Sequence, residues 1–256
     1  MHEPVVSKSP ELPNIVTLIA EKFEGSAFSS FIIAWENVIF SAIIITAIVL
    51  ITYIASRKTA LIPGRLQSAF EMFVSGVDDF VCGIMGHQGR KYVPFIGTLF
   101  IYILFMNLSG LIPFMKSPSA NWSTTLALAI CVSFYTIYAG ISTMGFLGFI
   151  DHLAGKPRGI VAILFFIPIM MFFLEIVSLF LVRPLSLSLR LRSNIWGDDM
   201  LLAVFAGFGL KGLALLIFNS FMAVIVAVVQ TLVFCLLTTI YFTLILTHEE
   251  ESVETQ

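Results

Sequence analysis

Charge is the scarcest thing in this chain: aspartate, glutamate, lysine and arginine together make up 12% of its 256 residues, while 58% are hydrophobic. A soluble domain that apolar could not clothe itself in a polar surface, so that class is excluded. A formal net charge of −2 gives no electrostatic footprint for nucleic acid. Cysteine is nearly absent. Cys82, Cys131 and Cys235 stand far apart in apolar surroundings, which excludes a disulfide framework and metal-binding spacing and leaves three small core residues. The four histidines, His2, His87, His152 and His248, all fall outside the apolar runs. No buried imidazole is therefore available to activate a serine or hold zinc, which argues against an intramembrane enzyme. Met1–Glu24 carries Glu3, Glu11, Glu21 and Glu24 without a basic n-region, so the first span is expected to serve as its own insertion signal.

What is present is a series of long apolar runs, with a mean hydropathy of +0.99, and these predict an all-α integral membrane protein. Residues 1–30 read as an external polar arm and 31–55 as the first transmembrane helix. Arg57, Lys58 and Arg65 mark its exit on the cytoplasmic side, which places the N-terminus outside. Between Pro63 and Gly86, Leu66, Phe70, Phe73, Val77, Phe80, Val81 and Ile84 recur at helical spacing among Gln67, Glu71, Asp78 and Asp79. That predicts an amphipathic helix, lying in the interface or packed on the other spans. His87 beside Arg90 reads as a solvated loop histidine. Residues 93–150 form a hairpin of spans, with turn residues and an interfacial tryptophan between Met115 and Trp122; Asn107 in its first arm is an interhelical hydrogen-bonding group. About five membrane-embedded helices plus one interfacial helix are expected.

Gly159–Ala206 has no convincing turn. One helix of that length would reach ~70 Å against a ~30 Å hydrocarbon layer, so it either breaks at Pro168 or Pro184 or lies steeply tilted. The cluster from Ala206 to Gly212 is the next turn, and 213–247 forms a second over-long apolar helix. Residues 159–247 thus read as a tilted antiparallel pair, the Gly-rich turn outside and the tail 248–256 in the cytoplasm.

Inside this apolar pair lies the densest polar stretch, Arg183 to Met200, with three arginines and two aspartates. Each charge inside a membrane costs roughly 2.5–3.5 kcal/mol even on lenient scales. As a helix, Arg183, Ser186, Arg190, Asn194 and Gly197 share one stripe with Asp198 on its flank, while Arg192 and Asp199 share the opposite face. An ordinary cytoplasmic loop obeying the positive-inside tendency is the plainer reading. If Leu210 is the midpoint of the hairpin, Arg190 and Gln230 lie level on facing helices. A hydrogen bond between them would satisfy the one amide in the run Phe221–Leu237; bonding of Gln230 to backbone is the alternative. The same arithmetic sets Asp199 opposite Phe221, near Asn219 and Ser220. Glu175 falls on the inner side of Arg190.

Pro184-Leu-Ser-Leu-Ser-Leu-Arg190-Leu-Arg-Ser-Asn194 resembles the signature of subunit a of F-type ATP synthases, the ion-conducting stator of the Fo motor. Asn107–Pro113 and Pro118–Ala127 resemble that family's hairpin, and the similarity runs from about Pro63 to His248. It implies an ion-translocating role for Arg190 (the family's essential arginine), Asn194, Gln230, Asp199 (the outer acid) and Glu175 (the inner one). It implies no cofactor, no metal and no catalysis by the chain alone. The implied partners are a rotating ring of c subunits, the b-subunit peripheral stalk, other ATP synthase subunits and membrane lipid in a bacterial plasma membrane.

Several departures from the pattern stand out. Arg192-Ser193 replaces the usual Phe-Gly, and Asp198-Asp199 a small residue followed by one acid or histidine. Ala223 stands where a polar partner is common, and Glu175 lies one residue farther from Pro184 than usual. Asp198 is expected to supply the lost polar group. Arg192 is expected either to pair with or tune Asp199, with Asn219 a further candidate for tuning, or to snorkel to lipid headgroups. The competing classes are a secondary transporter, for which neither an inverted repeat nor paired broken segments is found, and a non-catalytic structural membrane subunit.

Overall fold

A computed structural model describes residues 35–56, 64–112, 115, 117–153 and 163–246. The polar arm 1–30, the basic exit Arg57-Lys58, Lys156, Arg158 and the tail 248–256 lie outside the described residues. Those described form α1 (Glu36–Ser56), α2 (Arg65–Met85), a 3-10 segment (Gly86–Lys91) and α3 (Val93–Ser109). A single 3-10 turn (Pro118–Ala120), α4 (Trp122–Leu153), α5 (Ile163–Val177), α6 (Arg183–Gly207) and α7 (Leu213–Leu246) follow. No strand occurs among the described residues. Four apolar stretches are long enough to cross a membrane: Glu36–Ala55, Trp122–Ile150, Ile169–Phe205 and Leu213–Leu246. With the shorter apolar α3, this is the all-α membrane architecture expected from hydropathy.

The amphipathic helix predicted before Gly86 is α2, and it packs on the other spans through one face. Val77 and Val81 bury against Tyr92, just before α3, Ile96 of α3 and Phe242 of α7, while Met72 and Val74 on its other face stay exposed. His87 lies exposed in the following 3-10 segment, as a loop histidine should.

The core runs through α3, α4, α6 and α7. On α6, Leu187, Leu191 and Ile195 recur every four residues and bury against Ala129 and Val132 of α4 and Phe234 of α7. The Leu/Ser alternation of the sequence finds its reason here. Leu187 fills the core, and Ser188, itself buried, returns its hydroxyl to the Leu185 carbonyl. A small self-satisfied side chain lets two helices approach closely. Gly145, at φ 74°, breaks α4 into two helical pieces, a conformation that costs glycine nothing.

The long segment before Gly209 neither stops at Pro168 nor breaks at Pro184. Helix continues through Pro168, and between α5 and α6 the chain widens into a π-turn, Ser178–Val182, in which the Arg183 N–H bonds the Ser178 carbonyl. Proline lacks an N–H and its ring collides with the carbonyl four residues back. A widened turn ahead of Pro184 gives that carbonyl room, so the helix carries on. A 3-10 turn, Gly209–Gly212, then leads into α7.

Candidate functional site

Arg190 lies three residues from the middle of the apolar stretch Ile169–Phe205, and Gln230 at the middle of Leu213–Leu246. The two helices pack side by side. Their register differs from the expected one by one helical turn. The partner of Gln230 is Asn194, whose Nδ2 donates to Oε1 at 2.6 Å, and not Arg190. The reason lies in the turn: an Asn194–Gln230 contact centres the hairpin on Gly212, at the end of the 3-10 segment, two residues beyond Leu210. The Nε2 of Gln230 is buried and has no hydrogen-bond partner among the described residues.

Arg190 itself is exposed. Among the described residues it makes no hydrogen bond or ion pair. Exposed apolar side chains occur on both helices, among them Leu189 and Trp196 on α6 and Ile225 and Val229 on α7. A guanidinium so placed in a hydrocarbon layer has its charge uncompensated among the described residues, a cost of several kcal/mol unless a counter-charge is brought to it.

On the turn side of Arg190 a small crevice with a cavity volume of about 40 Å³ opens between α6, α7 and the α3–α4 connection. Asn194, Asp198, Asp199, Asn219 and Gln230 line it together, with Ala223 in the same wall. At about 10–15 Å³ of such space per molecule it has room for a few waters. Its floor continues into a buried polar chain. Ser117 Oγ lies 2.7 Å from Ser119 Oγ, which donates to Asn107 Oδ1 at 3.1 Å, and Asn107 Nδ2 donates to Thr231 Oγ1 at 3.5 Å. The sequence singled out Asn107 as a hydrogen-bonding group. It missed Thr231, Ser117 and Ser119, whose only signal was their closeness to Gln230 and to the turn.

Arg192 lies against the α3–α4 connection and the start of α4. Its guanidinium carbon lies 4.9 Å from the centre of the Trp122 ring, and its Nε donates to the Ala120 carbonyl at 3.4 Å. It fastens the α3–α4 connection, a wall of the crevice, to α6.

On the other side of Arg190, Glu175 pairs with Arg183 through Oε1 and Nη2. Arg183 is buried, and its guanidinium lies 5.2 Å from the Tyr241 ring centre. No sequence signal marked Arg183 as a partner, because residues eight apart do not share a face of a regular α-helix. No group of three or more histidine, cysteine, aspartate or glutamate residues that could hold a metal ion occurs among the described residues.

Residues 38–243 match the family profile described as ATP synthase A chain. The chain is 38% identical over 259 residues to ATP synthase subunit a of Protochlamydia amoebophila, covering 98% of this chain and 94% of that one. ATP synthase subunit a 3 of Pelobacter propionicus is 39% identical over 206 residues, 80% of this chain and 85% of the relative. ATP synthase subunit a of Helicobacter pylori is 40% identical over 165 residues, 63% and 70% of the two chains. Taken with four spans and a mid-depth arginine, these matches place the chain in the ATP synthase A chain family, multi-pass membrane subunits of the proton-translocating Fo sector that perform no ATP chemistry themselves.

Proposed function

We propose that this chain carries protons between the two sides of the membrane by loading and unloading carboxylates on a rotating ring of partner subunits, with Arg190 separating two offset half-channels. The observation that carries the reading is Arg190: exposed near the middle of a long apolar stretch, and without a hydrogen-bond or ion-pair partner among the described residues. A passing carboxylate is the counter-charge such a group requires. While it faces lipid the carboxylate is neutral, since burial disfavours its charged form; beside a guanidinium the ionised form is favoured. The proton therefore leaves into one half-channel as the carboxylate reaches Arg190, and another enters from the opposite half-channel once it has passed. Arginine suits the post because it cannot give up its own proton.

The crevice of Asn194, Asp198, Asp199, Asn219 and Gln230 serves as the outer half-channel, with Asp198 supplying the polarity that Ala223 lacks. Glu175 serves the inner one. Each charge crossing gains about 2.3 kcal/mol per 100 mV, which drives the cycle. The basic residues at 57–58, 90–91 and 156–158 support a cytoplasmic C-terminus and an external N-terminus in a bacterial plasma membrane. The b-subunit stalk completes the set of partners.

The test is ATP-driven proton pumping by reconstituted ATP synthase carrying Arg190→Ala or Arg190→Lys. Both should assemble and fail to pump. Normal pumping by the lysine variant would falsify the reading, because an ammonium can deprotonate and a guanidinium cannot.

A further inference from the structure

The π-turn and the Glu175–Arg183 pair belong together. In a regular α-helix, residues eight apart are turned about 80° from each other and set roughly 12 Å apart along the axis. A π-turn holds one extra residue without a matching advance. Across Ser178–Val182, Glu175 and Arg183 therefore behave as residues seven apart, about 20° off a common line, and their long side chains meet.

The pair is lopsided in a way that says what it is for. The Arg183 side chain is only 10% exposed and that of Glu175 36%. Arg183 is anchored by the Tyr241 ring, and its Nη1 is buried without a hydrogen-bond partner among the described residues. The cation is the more deeply buried partner and the carboxylate side chain the more accessible one. Leu179, at the heart of the π-turn, is buried in a cluster with Phe149, Leu153 and Ile245, which holds the wide turn in place. Arg183 and Arg190 are seven residues apart on the same helix, so the half-buried carboxylate lies along the stripe that leads to Arg190.

We propose that the Ser178–Val182 π-turn is a register device that swings Glu175 over Arg183, and that Arg183 is the positioning residue for the inner proton-carrying carboxylate. The inference rests on the translocation reading above and adds to it a residue and a backbone feature. Arg183 acts through Glu175 and touches no passing carboxylate.

The test is a double-mutant cycle on ATP-driven pumping, normalised to assembled enzyme in reconstituted vesicles. Arg183→Leu and Glu175→Gln should each slow pumping about tenfold, and the double variant no further, since coupled residues are not additive. Either single variant that assembles poorly leaves the double one usable, because removing both partners leaves no unpaired charge behind. A purely structural pair predicts that the double variant recovers pumping along with assembly; that recovery, or additive losses, would overturn the proposal. Deleting Leu181, whose side chain is exposed, leaves Glu175 and Arg183 seven apart in a regular helix. Pumping within about threefold of normal is expected, and loss as severe as in Arg183→Leu overturns the register argument. An Arg190→Ala control separates the two levels. If it pumps, the translocation reading has failed; if it does not and the cycle shows no coupling, only the register device has.

Discussion

Arg183 and Arg190 stand seven residues apart on the same face of one helix, yet their surroundings are opposites. Arg183 is buried, faces an aromatic ring and holds a carboxylate of its own chain. Arg190 is exposed and has no partner among the described residues. One charge is settled by the fold; the other is left for something outside it. A membrane helix tolerates a settled charge at modest cost and an unsettled one only if a counter-charge arrives. That difference, more than the presence of arginine, is what the proposed role of Arg190 rests on.

The contrast can be broken most severely at Arg190. Arg190→Ala should leave the fold of the isolated chain within about 0.5 kcal/mol, as for a surface change away from any contact, while pumping by the whole enzyme falls to background. Thermal unfolding in detergent and vesicle acidification read the two halves. Arg183→Met should do the reverse in kind. Removing the buried Arg183 leaves a half-buried Glu175 unpaired, at less than the about 3–5 kcal/mol of a fully buried pair, seen as a lowered unfolding temperature and reduced assembly that Glu175→Gln restores.

Asn194→Leu tests the register of the hairpin. It strips Gln230 of its partner and leaves a buried amide unsatisfied, a loss of roughly 1–3 kcal/mol, with slower pumping as well. Asn194→Gln should recover part of both. If stability is unchanged in Asn194→Leu and lowered in Arg190→Leu, the pairing is the one first read from the sequence. The smallest effect is expected at Arg192. Its contact with Trp122 is worth about 0.5–2 kcal/mol, so Arg192→Leu and Trp122→Leu should each lower stability slightly and the pair of changes no more than either alone.

Much of this was legible beforehand because it depends on hydrophobic run length and helical period alone. Apolar stretches too long for a loop become spans, and a lone amide at the centre of α7 has to find a polar partner. The level of Gln230 was legible to within one turn by counting back from the glycines. Which residue it meets was not. That depends on how many residues the 3-10 segment Gly209–Gly212 spends on turning, and local sequence does not set that count. Arg192 escaped for a related reason: its partner Trp122 lies seventy residues away, reachable only once α4 has packed against α6.

By itself the sequence determined the class of protein, the rough number and limits of its spans, and a mid-depth arginine within a family signature. All of these follow from local chemistry and from the price of charge in hydrocarbon. Tertiary structure alone decided that Arg183 is settled and Arg190 is not, that Asn194 meets Gln230, and that one wide turn carries Glu175 onto Arg183. These depend on rotation about a helix axis. A single extra residue turns a side chain by about 100°, and packing decides where that residue is absorbed.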